Sequence, residues 1–135
     1  MKDRVRSDIA LKTEHGTYVT ALGAESDWQL AGQASRVLGW ENFTLLRVGD
    51  GRFALKTAHG RYVTAGREEQ QWLLRGCADR ILGWELFELH EKGETFTLKT
   101  GHGRYLRVGG QDERFLLRGD AATLEEASWL TGRLL

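Results

Sequence analysis

The sequence has no proline in its 135 residues and only one cysteine. With Cys77 alone, no internal disulfide can form and no multi-cysteine metal cage exists. Charge of either sign is not in excess, since 19 Lys and Arg balance 19 Asp and Glu. That balance excludes a polybasic nucleic-acid arm and an acidic disordered tail, so no nucleic-acid partner is expected. No apolar run approaches the ~20 residues that span a bilayer, which argues against integral membrane association. The opening Met1-Lys2-Asp3-Arg4-Val5-Arg6 lacks the apolar stretch of a secretory signal. The expectation is a soluble protein, cytoplasmic or secreted with its signal removed. At 15.3 kDa the chain is one domain, residues 1–135.

What is abundant is glycine, 17 residues, together with five tryptophans. Glycine spread evenly through an otherwise apolar chain signals many turns. Self-comparison explains the spread. Shifted by 44, Ile9–Leu45 falls on Phe53–Leu89 with 22 of 37 positions identical. Shifted by 43, Phe53–Ala78 falls on Phe96–Ala121 with 14 of 26 identical, too many for chance. Ala10–Ala21 (ALKTEHGTYVTA), Ala54–Ala65 (ALKTAHGRYVTA) and Thr97–Val108 (TLKTGHGRYLRV) open three repeats, about 8–50, 51–93 and 94–135. A second block, LGWENFTL (Leu38–Leu45) and LGWELFEL (Leu82–Leu89), decays in the third copy to LEEASWL (Leu124–Leu130).

Each repeat reads as short strands. Ile9 and Leu11 alternate with Ala10 and Lys12, a period of two. His15-Gly16 falls where a tight turn needs a positive φ, and Tyr18–Ala21 returns. Trp28-Gln29-Leu30 makes a third strand and Phe43-Thr44-Leu45 a fourth, while Leu124–Leu130 carries helical spacing for a turn or two. A four-stranded unit cannot bury its apolar face alone, so three must share a core. Three times four strands with approximate threefold symmetry is the arithmetic of an all-β fold, a β-trefoil.

The segment FALKTAHGRYVTA (Phe53–Ala65) resembles the repeat opening of fascin and hisactophilin, the actin-binding β-trefoils. The W-E-x-F-x-L block (Trp40–Leu45, Trp84–Leu89) is similar to the strand that closes a fascin repeat. The resemblance covers about residues 8–130 and implies a β-trefoil that binds actin filaments or, as in similar single trefoils, glycans. Two departures bear on it. Hisactophilin-like proteins are saturated with histidine, whereas this chain has His15, His59, His90 and His102 only. Fascins carry several trefoils in one chain, whereas this length holds one.

Several columns of the repeat could carry chemistry. His15, His59 and His102 are symmetry-related, but turns that splay outward keep three imidazoles too far apart for one zinc ion, so no metal and no cofactor are expected. Turn stabilisation and ligand contact are the roles left to them. Cys77 aligns with Gln33 and Asp120, a polar surface column, which suits a free thiol better than a nucleophile. Glu68-Glu69 and Glu125-Glu126 sit side by side in turn-like stretches, a poor arrangement for glycoside hydrolysis. No catalytic residues are assigned and the protein is read as a non-enzyme. Trp28, Trp72 and Phe115 share the parity of Leu30, Leu74 and Leu117, which places them in the core with Leu11, Leu55, Leu98 and Val19, Val63, Leu106.

Trp40 and Trp84 align, across a one-residue gap, with Glu126. Two readings follow: exposed indoles that serve as platforms for a sugar's apolar face, or a third copy repacked with Trp129 in the place of Phe43 and Phe87. Arg61 and Arg104 follow the turn glycine where the first copy has Thr17, and Arg75 and Arg118 stand opposite Ala31. With Lys12, Lys56 and Lys99 on the outward parity, the second and third repeats present the denser cationic surface. The candidate ligand-binding set is Trp40, Trp84, Arg61, Arg104, Lys56, Lys99, His59 and His102. It points to a recognition module for a macromolecular ligand, first a glycan, then an actin-like filament, with a self-assembling scaffold third; a monomer or weak homo-oligomer is expected.

Overall fold

The computed structural model describes residues 6–135. Among these residues there are twelve strands. The first repeat supplies β1 (Arg6–Lys12), β2 (Tyr18–Ala21), β3 (Leu30–Ala34) and β4 (Phe43–Gly49). The second supplies β5 (Arg52–Lys56), β6 (Tyr62–Ala65), β7 (Leu74–Ala78) and β8 (Phe87–Lys92). The third supplies β9 (Thr95–Lys99), β10 (Tyr105–Val108), β11 (Leu117–Ala121) and β12 (Leu130–Leu134). First and fourth strands pair antiparallel in a ring, β1–β4–β5–β8–β9–β12 and back to β1, a closed six-stranded barrel without free edges. Second and third strands form hairpins attached to that ring, and each carries a bulge at the same place, after Tyr18, Tyr62 and Tyr105. This is the β-trefoil architecture.

The turns follow from local chemistry. In each K-T-x-H-G segment the Thr Oγ1 of Thr13, Thr57 or Thr100 accepts from the histidine N–H two residues on, at 3.1–3.2 Å. The next residue has φ of +84 to +85°, which glycine adopts without a Cβ clash, at Gly16, Gly60 and Gly103.

The three hairpins meet in a cyclic triad. The N–H of Gly32 donates to the Phe115 carbonyl at 2.8 Å, Gly76 to Trp28 at 2.7 Å, and Gly119 to Trp72 at 2.8 Å. A Cβ on any of these glycines would lie 2.5–2.7 Å from the methyl of Thr13, Thr57 or Thr100. Glycine is needed here for close approach.

The core contains the expected columns Leu11/Leu55/Leu98, Val19/Val63/Leu106 and Leu30/Leu74/Leu117, all buried. Four expectations are corrected. Trp28, Trp72 and Phe115 are not core: the strands begin two residues later, and each ring is half-buried on the rim. Each is the second of two consecutive left-handed residues (Asp27-Trp28, Gln71-Trp72, Arg114-Phe115, φ 56–59°), so strand parity does not reach them. Trp129 does not replace Phe43 and Phe87; Leu130 does. Phe43 pairs with Ile9, Phe87 with Phe53 and Leu130 with Phe96, and all three first partners are almost fully buried. The helical stretch is only the single 3-10 turn Leu124–Glu126. That turn matches Gly83–Glu85, so Glu125, not Glu126, stands in the tryptophan column.

Candidate functional site

The site is built where one repeat meets the next. The LGWE loops project tryptophan outward because the glutamate points in. Glu41 and Glu85 are buried, and their Oε1 atoms accept from the N–H of Leu38 and Leu82 at 2.7 and 2.8 Å. Folding that carboxylate under the turn leaves Trp40 51% exposed and Trp84 45% exposed, next to the exposed Leu38 and Leu82. The repacked-core reading of these tryptophans therefore gives way to exposed indoles.

The histidine of the following repeat reaches across to them. His59 stacks on Trp40 with ring centres 4.1 Å apart and meets Trp28 edge-on at 5.3 Å. His102 stacks on Trp84 at 4.0 Å and meets Trp72 edge-on at 5.6 Å. Each imidazole is anchored by Nε2, 3.1 Å from the carbonyl oxygen of Ala21 or Ala65 in the preceding repeat. Arg61 lies over Trp28 with its guanidinium carbon 5.0 Å from the ring centre, and Arg104 over Trp72 at 4.6 Å. Their Nη1 atoms donate to the carbonyls of Cys77 and Asp120 at 3.3 and 3.4 Å. Two equivalent clusters result: Trp28–His59–Trp40 with Arg61, and Trp72–His102–Trp84 with Arg104.

The third junction is stripped. His15 is exposed, and among the described residues its ring meets one other ring, Phe115, edge-on at 5.7 Å; Glu125 stands where a stacking indole would be and Thr17 where the arginine would be.

Six of the eight expected residues thus gather in the two clusters. Lys56 and Lys99 take another course, over the rings of Tyr62 and Tyr105 at 5.7 Å, though Lys99 also lines a hollow of about 380 Å³ beside Trp84. The expected open cationic face is instead committed inside the protein. Arg61 and Arg104 cover indoles, Arg75 pairs with Asp27 at 3.1 Å, and Arg118 approaches Glu113 at 3.5 Å. The members that parity reasoning missed are Trp28 and Trp72. Their signal was the polar residue before each ring, Asp27 and Gln71, closing a Gly- or Arg-led turn.

Of the other candidates, Cys77 is half-buried and free, and Glu68 and Glu69 are exposed. The Glu126 Oε1 accepts from the Ala122 N–H at 3.0 Å, a loop-tying role like that of Glu41 and Glu85. Among the described residues no three His, Cys, Asp or Glu side chains gather as a metal cage, and no helix is long and apolar enough to cross a membrane.

The third repeat carries its own ion cluster. Arg107 donates to Asp120 at 2.8 and 2.9 Å and to Glu113 at 2.9 and 3.0 Å. These bonds raise the Arg107 pKa above its already high ordinary value and, on the other side, hold the Glu113 carboxyl below the usual glutamate range.

Chemically, the two clusters offer an exposed aromatic face flanked by fixed cations and backbone carbonyls. That is equipment for stacking and hydrogen bonding.

Solved structures bear out the fold. A designed threefold-symmetric protein, ThreeFoil, superposes with a TM-score of 0.76 at 15% identity, covering 92% of this chain and 97% of that one. The BEL β-trefoil gives 0.75 at 12% identity over 96% and 93%, and SeviL bound to asialo-GM1 saccharide gives 0.72 at 12% identity over 96% and 98%. The chain is a β-trefoil. No family model matches its sequence, and no curated protein sequence matches it.

Proposed function

We propose that this trefoil is a non-catalytic, bivalent glycan-binding module that uses the junctions between repeats 1 and 2 and between repeats 2 and 3. The observation that carries this reading is the duplicated cluster, Trp28–His59–Trp40 with Arg61 and Trp72–His102–Trp84 with Arg104. One indole face is held against an anchored imidazole, and about half of each ring is left to solvent. A pyranose presents an apolar C–H face to such a ring and hydroxyls to the guanidinium and carbonyl groups around it. The likeness of the fold to SeviL, solved bound to a saccharide, supports the same reading. Two sites on one rigid body favour multivalent surfaces, since the second contact is made at high effective concentration.

The test is a glycan array with the intact protein, followed by titration of Trp40→Ala, Trp84→Ala and the double variant. Each single variant is expected to halve the stoichiometry, and the double variant to bind nothing. Silence of the unaltered protein across neutral and acidic sugars at near-millimolar sensitivity refutes the proposal.

The doubled site also suits cross-linking of filaments, the function that the fascin resemblance of the repeat implies. Co-sedimentation with actin filaments at high and then low speed separates that second reading from the first.

A further inference from the structure

Beside the exposed indole of Trp84 lies a hollow of about 270 Å³, lined by Thr64, Gln70, Arg67 and Arg75. Arg67 is largely exposed, 4.0 Å from Glu69. Arg75 spends Nη1 on Asp27, while its Nε is buried with no acceptor among the described residues.

The equivalent positions of the other repeats show what this place can hold. In repeat 3 two guanidiniums also line it, Arg107 and Arg118, and both have carboxylates: Glu113 bonds to Arg107 and Arg118, and Asp120 to Arg107. In repeat 1 the matching residues are Thr20, Gly23, Ser26, Ala31 and Gln33, with no charge of either sign. Repeat 2 keeps one of these arginines, Arg75 for Arg118, has Thr64 for Arg107 and adds Arg67 where repeat 3 has Gly110; it has Gln70 where repeat 3 has Glu113, and Cys77 where it has Asp120. Repeat 2 alone thus has cations at this place with no carboxylate in the lining of the hollow itself; Arg75 turns to Asp27 of repeat 1 at 3.1 Å and Arg67 lies 4.0 Å from Glu69, both outside that lining. Repeat 2 is also the one that pairs the arginines with an exposed indole, because repeat 3 has Glu125 in that column.

We infer that the Trp84 hollow takes an acidic sugar, its ring against the indole and its carboxylate toward Arg67 and Arg75, where Glu113 and Asp120 serve in repeat 3. The cluster around Trp40, with no such arginines, takes neutral sugars. This rests on the glycan reading above and narrows one of its two sites.

The experiment is an NMR titration of the full chain, following tryptophan indole and arginine Nε–H signals. The probes are methyl glucuronide, N-acetylneuraminic acid and, as the neutral control, methyl glucoside. At Trp84 one of the acids is expected to bind at least about tenfold more tightly than glucoside, the worth of a charge-assisted hydrogen bond pair; which acid does so separates uronate from sialate. Gln70→Glu supplies the missing anion from within while keeping the acceptor for the Arg67 N–H, now 3.0 Å from the Gln70 Oε1. It is expected to erase the acid preference at Trp84 and leave Trp40 unchanged; Arg67→Gln with Arg75→Gln does the same by removing the cations. Equal binding of acid and neutral sugar at Trp84, or a preference that survives both variants, overturns the inference while leaving the glycan reading intact. If no probe moves either indole, and the array is silent, both fall.

Discussion

Replacing Gly76 by alanine probes the joint that holds the hairpins together and presents Trp28. The new Cβ would sit 2.5 Å from the Thr57 Cγ2, inside any tolerable contact, on a strand whose own hydrogen bond to the Trp28 carbonyl is 2.7 Å long. Neither neighbour is the free end of a flexible chain, because Thr57 is buried and its Oγ1 accepts from the His59 N–H. Overpacking of this kind costs about 1–3 kcal/mol. For a domain of this size that lowers Tm by roughly 3–12 °C. Thr57→Ser removes the offending methyl and keeps the hydroxyl, so the double variant is expected to regain most of the loss, with a coupling of about 1–2 kcal/mol. Gly83→Ala is the control: nothing lies within 4 Å of its would-be Cβ, and its cost is expected to stay within about 0.5 kcal/mol. Urea and thermal unfolding of the parent, Gly76→Ala, Thr57→Ser, their double variant and Gly83→Ala decide the matter. A Gly76→Ala protein as stable as its parent, or a double variant no better than the single, refutes the close-approach argument.

Two further outcomes follow from the broken symmetry. His59→Ala removes a stacked indole contact and an anchored Nε2 and is expected to cost about 1–2 kcal/mol, whereas His15→Ala, at an exposed ring with one edge contact, is expected to cost under about 0.5 kcal/mol by chemical denaturation. Glu113, whose folded-state pKa is depressed by Arg107, contributes stability that is present above the ordinary glutamate range near pH 4.3 and is lost as pH falls through the depressed value. The stability gap between the parent and Glu113→Gln is therefore expected to be open at pH 6 and to close as pH drops below about 4; a gap constant over that range contradicts the ion-cluster assignment.

The triplication, the strand count and the aliphatic columns were legible in the residues because they depend on local periodicity and on burial shared by three near-identical segments. Leu11, Val19 and Leu30 with their repeats are core for the reason their spacing implies. The K-T-x-H-G turns were legible too, since a positive φ at glycine is a local demand. Spacing failed where the backbone left the two-residue period: the paired left-handed residues at Asp27-Trp28 and Gln71-Trp72 turn out rings that parity places inside.

The site required the tertiary structure for a different reason. Each cluster takes its tryptophans from one repeat and its histidine and arginine from the next, about 30 residues apart in the case of Trp28 and His59. Residue types alone named six of the eight partners, but only closure of the barrel brings Trp40 under His59 and Trp84 under His102. Three similar segments meet three different fates: Arg118 meets Glu113 in the turn before its own strand, Arg75 meets Asp27 of another repeat, and the alanine at position 31 meets neither. Sequence set what each repeat could be. Packing against the next repeat decided what each became.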